Sequence, residues 1–465
     1  VRISQKLGYG VAEVGITAVQ IMTQIYLLKF YTEFVGLKPS LAGIALSISV
    51  IWDAVSDPIM GVISDETRTK WGKRRPFLLM GGILLAFSFA ILFSPPKLET
   101  QFAKFMSLLV LYLITNTAMT ILSVPHISLG GELTEDRHER TSLYGIRLFF
   151  SNLGMMVGMG IPAILLSISQ DENSFIFQYQ SKENAALIIS GIVIITSVWT
   201  FLSTEERPDT TISQKPSVSS ILVSLFSVMR NKAFLPLLFA FLIATLGRTL
   251  NTSIALYYYE FRLHLKESEV VSQILFPFFF FILLSIGFWI WISKKFGKKI
   301  PAFLGGLGLG IMTIIVYPLL PVGEIKPPLI AAFFGGIFAG AIFLYDSVLS
   351  DIIDYDRLKT GMNREGLYFG FWKMGTKLSQ AIGLALLGFI LEGIGFEPGQ
   401  ASGNQDPELG MKLAWLFGPG VGSFFVVGSL IFLWMPITDS IHVRIQKILK
   451  QRPKKRLPNL KKFQK

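Results

Sequence analysis

The 465-residue sequence contains no cysteine. That absence excludes disulfides, thiolate nucleophiles and cysteine-ligated metal centres. Histidine is almost as scarce, and His126, His138, His264 and His442 stand without the spacing of a metal site. No Gly-x-x-x-x-Gly-Lys-Ser/Thr loop is present to cradle a nucleoside triphosphate, so an ATP-driven pump is not expected. No nucleophile–base or metal-ligand constellation stands out, so an enzyme is not expected and no cofactor is implied. No cleavable signal peptide is visible at Val1-Arg-Ile-Ser-Gln-Lys. Charge is sparse too: 16% of residues, where a soluble domain carries about a quarter.

What fills the chain instead is apolar. Hydrophobic residues make up 51%, and the mean hydropathy is +0.54. They come in long runs, among them Phe77 to Pro95, Phe234 to Leu246, Ile274 to Ile292 and Phe424 to Pro436. A helix of about 20 residues spans the roughly 30 Å hydrocarbon core of a bilayer. Such numerous runs cannot all be core helices of one globule. The fold class expected is all-α integral membrane, with helices near 8–34, 40–65, 76–95, 102–132, 143–168 and 184–203, then 233–261, 270–293, 301–320, 327–353, 366–395 and 410–437. The polar stretch between the two sets reads as a linker. The division expected is a six-helix half at 1–204, a linker at 205–232, a second half at 233–438 and a basic tail at 439–465.

The formal net charge of +12 is distributed by loop parity. Basic clusters fall at Arg68 to Arg75, at Arg137 and Arg140, in the linker, at Lys294 to Lys299, at Arg357 to Arg364 and in the tail from Arg444, while the alternate loops are poor in Lys and Arg. The positive-inside rule then puts both termini and the linker in the cytoplasm, in a plasma or bacterial inner membrane. Loop parity explains the basic excess without nucleic acid. An internal repeat supports two related halves. Lys70-Trp-Gly-Lys-Arg-Arg-Pro aligns without gaps on Lys295-Phe-Gly-Lys-Lys-Ile-Pro, and Arg140-Thr-Ser-Leu-Tyr on Arg364-Glu-Gly-Leu-Tyr at nearly the same offset. Halves of this kind place a substrate cavity at their interface near mid-membrane.

A charge inside a span is costly and demands a reason. Asp53 and Asp57, in Trp52-Asp-Ala-Val-Ser-Asp-Pro58, are four apart and share one face, about 6 Å apart along the axis. Two such carboxylates repel unless a cation or proton lies between them. Pro58 has no N–H to give the carbonyl of Ala54, which leaves that oxygen free. Carboxylates, a hydroxyl and a carbonyl are ligands for a group I cation; the alternative is a structural ion pair with another helix. Basic residues within spans are Arg147, Arg248, Lys373 and Lys377. Lys373 and Lys377 share a face and are candidates to neutralise the two aspartates, with snorkelling the alternative, more so for Lys373.

Trp52-Asp-Ala-Val-Ser-Asp-Pro-Ile-Met-Gly61, continuing to Arg68-Thr-Lys-Trp-Gly-Lys-Arg-Arg-Pro76, resembles the glycoside–pentoside–hexuronide:cation symporters of the major facilitator superfamily. Asp351-Ile-Ile-Asp-Tyr-Asp356 and Arg364 through Lys377 are similar to that family's second half. The resemblance implies cation ligands at Asp53, Ser56, Asp57 and Thr120, a lysine partner at Lys377 and a substrate-contacting arginine at Arg147. The acids that hold galactosides in melibiose permease fall on Thr17 and Ser123, and its nearby tryptophan on Ile127. A melibiose-like substrate is therefore not expected. Arg147, Trp372, Lys373 and Lys377 form an electropositive set better suited to an anionic ligand. Gly61-x-x-x-Asp65 with the basic cluster after it is similar to that superfamily's loop motif between helices two and three. The motif implies a cytoplasmic gate holding the halves together: Asp65 closes a helix whose C-terminal dipole favours cations, so that Arg68, Lys73 or Arg74 latch there, with topology and lipid-headgroup attraction the alternative.

The expectation is a monomeric cation-coupled symporter carrying a glycoside or related sugar, with Na⁺ the first choice of cation and H⁺ or Li⁺ the others. Membrane lipids are the other partners. A lysophospholipid symporter and a non-transporting ligand sensor are the alternatives. Ile441 to Lys450 reads as an amphipathic surface helix.

Overall fold

The computed structural model describes residues 2–134, 136–169, 171–172, 174–206, 228–361, 364–400, 405–437 and 439–451. Most of the linker expected at 205–232 and the tail beyond Gln451 lie outside the described residues. Among the described residues, twelve helices are long and apolar enough to cross a membrane: α1 Ile3–Phe34, α2 Pro39–Glu66, α3 Arg75–Leu92, α4 Gln101–Gly130, α5 Ser142–Ser167, α6 Phe175–Ser203, α7 Phe234–Arg262, α8 Glu267–Phe296, α9 Lys299–Leu319, α10 Lys326–Thr360, α11 Glu365–Gly393 and α12 Leu409–Phe432. A shorter helix, α13 Asp439–Gln451, follows. Each span matches a helix expected from the apolar runs, and no strand occurs among the described residues. The protein is a multi-pass integral membrane protein.

Local chemistry marks the helix ends. Pro39 and Pro76 stand in the first turns of α2 and α3, where a missing N–H is harmless. The Thr100 side chain caps α4 by accepting from the Ala103 N–H. Gly361, at φ +73°, takes the left-handed conformation that ends α10. The helices are irregular toward the end of the bundle away from the termini. π-helical turns occupy Phe30–Phe34 in α1, Tyr258–Arg262 in α7 and Leu416–Gly420 in α12.

Within the first half, α1 packs on α5 and α6, and α4 on α2 and α3; within the second, α7 packs on α11 and α12, and α9 on α10 and α12. The halves meet through α2 on α11, α5 on α8 and α1 on α7. Large apolar side chains such as Phe87, Leu202, Phe280, Leu319 and Trp434 point outward, as a surface solvated by lipid requires.

At the end of the bundle away from the termini the halves touch backbone to backbone. A Cβ on Gly388 of α11 would lie 2.3 Å from the Pro39 carbonyl oxygen, and one on Gly43 of α2 would lie 2.6 Å from that of Leu384. Only glycine permits this approach. Polar contacts reinforce it. The Ser40 hydroxyl donates to Glu392, and Ser47 Oγ to the Ala381 carbonyl at 2.6 Å. Lys29 Nζ lies 2.5 Å from Glu33 and 2.6 Å from Glu260 across the interface. Lys182 Nζ lies 2.7 Å from Glu267.

Candidate functional site

At mid-depth, α2 brings Asp53 and Asp57 against α4 and α11. Thr120 Oγ1 of α4 lies 2.8 Å from Asp53 Oδ1 and 3.1 Å from Asp57 Oδ1. Its single hydrogen serves only one of them at a time. Ser56 Oγ is 3.4 Å from Thr120 Oγ1 and 3.4 Å from the Asp53 carbonyl oxygen. Opposite them, Lys377 Nζ of α11 lies 2.6 Å from both Asp53 Oδ2 and Asp57 Oδ2. Lys373 Nζ is 2.9 Å from Asp57 Oδ2, with its side chain 60% exposed. The four residues read as cation ligands thus converge, and both lysines neutralise the carboxylates from the other half. The donor set of two carboxylates and two hydroxyls fits a hard monovalent cation. No cluster of three or more His, Cys, Asp or Glu side chains suited to a metal occurs among the described residues.

The residues expected at the substrate fall in different places. Arg147 Nε of α5 pairs with Glu13 Oε1 at 2.6 Å. Thr17 Oγ1 is 2.9 Å from Ser151 Oγ and 3.4 Å from Glu13 Oε2. Ser123 is half-buried on α4. Trp372 is buried, stacked on Phe241 with ring centroids 3.8 Å apart, and donates to Asp346 Oδ1 at 2.9 Å. Arg147, Trp372, Lys373 and Lys377 therefore do not form one electropositive wall, because each is engaged elsewhere.

Glu13, the partner of Arg147, is a residue that sequence reasoning missed. It sits buried in α1, contacts Arg147, and lies 3.5 Å from His126 Nδ1. Its signal was available, since an intramembrane carboxylate always demands a partner. The buried charges Lys29, Glu33, Lys182, Glu260 and Glu267 were missed in the same way.

Two chambers lie side by side, and the first adjoins this cluster. The first, of about 320 Å³, is lined by Asp53, Asn116, Lys377, Gln20, Thr23 and Ser253 among others. The second, of about 450 Å³, is lined by Arg248, Asn251 and Asn152 together with Phe278, Phe279 and Phe343 among others. Gln24 and Gln380 line both.

The loop cluster closes on its own half. Arg74 Nη2 bonds Asp65 Oδ1 at 2.6 Å and Glu132 Oε1 at 2.8 Å, and Lys73 Nζ reaches Glu132 at 2.9 Å. The backbone N–H groups of Lys73, Arg74 and Arg75 converge on the Glu206 carboxylate at 2.7–2.8 Å. Arg68 Nη1 caps the end of α2, donating to the Asp65 carbonyl at 2.7 Å. Burial by itself would raise the Glu132 pKa, but the hydrogen bonds from Arg74 and Lys73 outweigh it and hold the carboxyl below its ordinary value.

The architecture agrees with comparison to known proteins. Residues 8–439 match the family described as MFS/sugar transport protein. The chain belongs to that family. It is similar to the isoprimeverose transporter of Lactiplantibacillus pentosus, 26% identical over 92% of this chain and 88% of that one. It is also similar to the sodium-dependent lysophosphatidylcholine symporter 1-B of Danio rerio, 23% identical over 93% of this chain and 86% of that one. The nucleoside transporter NupG shares the fold, with a TM-score of 0.68 at 12% identity over 93% of this chain and all of that one. The protein is thus a major facilitator transporter for small molecules and not an enzyme.

Proposed function

We propose that the protein is a Na⁺-coupled symporter that moves a glycoside or related polar sugar by alternating access. The observation that carries this reading is the Lys377 ammonium seated 2.6 Å from both Asp53 and Asp57. Two carboxylates of one half are held by a lysine of the other, so a competing cation acts directly on the contact between halves. Na⁺ takes the carboxylate oxygens with Thr120 and Ser56 and displaces the ammonium. The released lysine then faces the chamber beside Gln380, where a substrate hydroxyl can accept from it. Li⁺ and H⁺ compete for the same oxygens.

Both termini are cytoplasmic in this reading, which makes the glycine-to-glycine contact and the Lys29–Glu260 pair the closed outer side. Asp65, Arg68, Lys73 and Arg74 then hold the inner ends of one half, and form the gate when the site faces outward. The test is thermal stabilisation by NaCl against KCl, followed by uptake into proteoliposomes under a Na⁺ gradient. Asp57→Asn is expected to lose the Na⁺-specific stabilisation while remaining folded. Normal Na⁺-stimulated uptake by that variant overturns the assignment. The apolar lining of the larger chamber and the lysophosphatidylcholine symporter among the relatives favour a second reading, lysophospholipid transport. Uptake of a lysolipid in the same vesicles separates the two.

A further inference from the structure

Basic side chains inside this bundle are engaged almost wherever they occur. Arg147 has Glu13, Lys373 and Lys377 have the aspartates, Lys29 has Glu33 and Glu260, and Lys182 has Glu267. Arg248 differs. It stands in α7 and lines the larger chamber, and its guanidinium makes no hydrogen bond or ion pair among the described residues. Asp346 lies near enough to act on it electrostatically but does not pair with it, and accepts the Trp372 indole N–H instead. Around Arg248 the chamber presents Gln24, Asn251 and Gln380, whose carboxamides likewise have no hydrogen-bond partner among the described residues. Arg248 and Gln24 are exposed to the chamber and Asn251 and Gln380 partly so, which presents a fixed positive charge inside a span, with amides beside it, to whatever enters the cavity.

We propose that Arg248 is the charge-selecting anchor of the substrate chamber, where its guanidinium takes an oxyanion carried by the transported molecule. A guanidinium presents two parallel N–H donors that match a carboxylate or phosphate, and such charge-assisted bonds are roughly twice as strong as neutral ones. The chamber is shaped for this. Carboxamides beside the fork offer donors and acceptors for hydroxyls, while Phe278, Phe279 and Phe343 offer ring faces to the apolar side of a sugar ring. The substrate class that fits is an acidic sugar, whose carboxylate meets Arg248 while its hydroxyls reach Gln24 and Gln380 on the boundary with the cation site. The same fork also fits the phosphate of a lysolipid. This assignment rests on the reading of the two chambers as the translocation cavity. It moves the anionic preference from Arg147, Lys373 and Lys377 to a residue that is free to express it.

The experiment is direct binding to the full-length purified protein, in NaCl and in KCl, of methyl glucuronide, of methyl glucoside as its neutral counterpart, and of a lysophosphatidylglycerol. Wild type is expected to prefer methyl glucuronide over methyl glucoside. Arg248→Gln is expected to weaken the glucuronide about 10- to 100-fold and leave the glucoside little changed. Arg248→Lys is expected to recover part of the loss, which a merely structural arginine would not show for the anionic ligand alone. Loss confined to the lysolipid, with no glucuronide binding, supports the oxyanion anchor and assigns it to a phosphate. Equal weakening of charged and neutral ligands, or no change in Arg248→Gln, overturns the proposal. Affinities that are the same in NaCl and KCl, with the charge selectivity and its loss in Arg248→Gln retained, overturn the Na⁺ coupling and leave Arg248 assigned, so the two failures are distinguishable.

Discussion

Lys377 holds two carboxylates at once, and its removal has opposite effects on two measurable quantities. Without it, Na⁺ meets the oxygens of Asp53, Asp57 and Thr120 with only the exposed Lys373 as competitor. Lys377→Ala is expected to lower the Na⁺ concentration for half-maximal thermal stabilisation about tenfold, equivalent to about 1.4 kcal/mol. Coupled uptake is expected to fall, because the empty carrier keeps an unbalanced negative charge at the interface. An unchanged Na⁺ midpoint together with normal uptake would show that the ammonium is not the competitor. Arg147 illustrates the converse case. Its position in a span drew attention to it correctly, but only the fold shows that Glu13 already claims it.

At the scale of elements, the α2–α3 loop is a clasp with a defined acid sensitivity. The Glu132 carboxyl, held below its ordinary pKa by Arg74 and Lys73, stabilises the folded state above the usual carboxylate range. That contribution is lost as pH falls through the depressed value. Glu132→Gln is expected to be less stable than wild type at neutral pH and to converge with it in acid. Parallel melting temperatures across the whole range would remove Glu132 from the clasp. The elements themselves were highly legible in the sequence. All twelve spans follow from apolar runs and polar breaks, because lipid leaves a long apolar segment no alternative to a helix, and α13 follows from apolar and basic residues at helical spacing. The cation cluster was legible for a similar reason, since Asp53 and Asp57 are conspicuous where charge is rare. The substrate chamber was not. Trp372 turns away to Asp346, and which polar residues remain unclaimed depends on partners from distant helices that no local spacing reveals.

For the whole molecule, the contact between Gly43 and Gly388 sets how the halves can close. Gly388→Val puts a branched side chain where even a Cβ meets backbone at 2.3 Å. The expected result is a protein biased toward opening at that end. The absence of native cysteine makes this measurable: a cysteine placed at Gln20, on the chamber wall, should label faster with a membrane-impermeant thiol reagent added from that side. Unchanged labelling would mean that the helices accommodate the side chain without separating. The same contact also acts as a pivot. Asp57 lies fourteen residues beyond Gly43, a lever arm of about 21 Å. A swing of α2 by only about 10° around that crossing carries Asp57 about 3–4 Å along its arc. An ion pair seated at 2.6 Å does not survive such a displacement. The angle between the halves and the occupancy of the carboxylates are thus one mechanical variable, and whichever cation sits there reads, and fixes, the position of the lever.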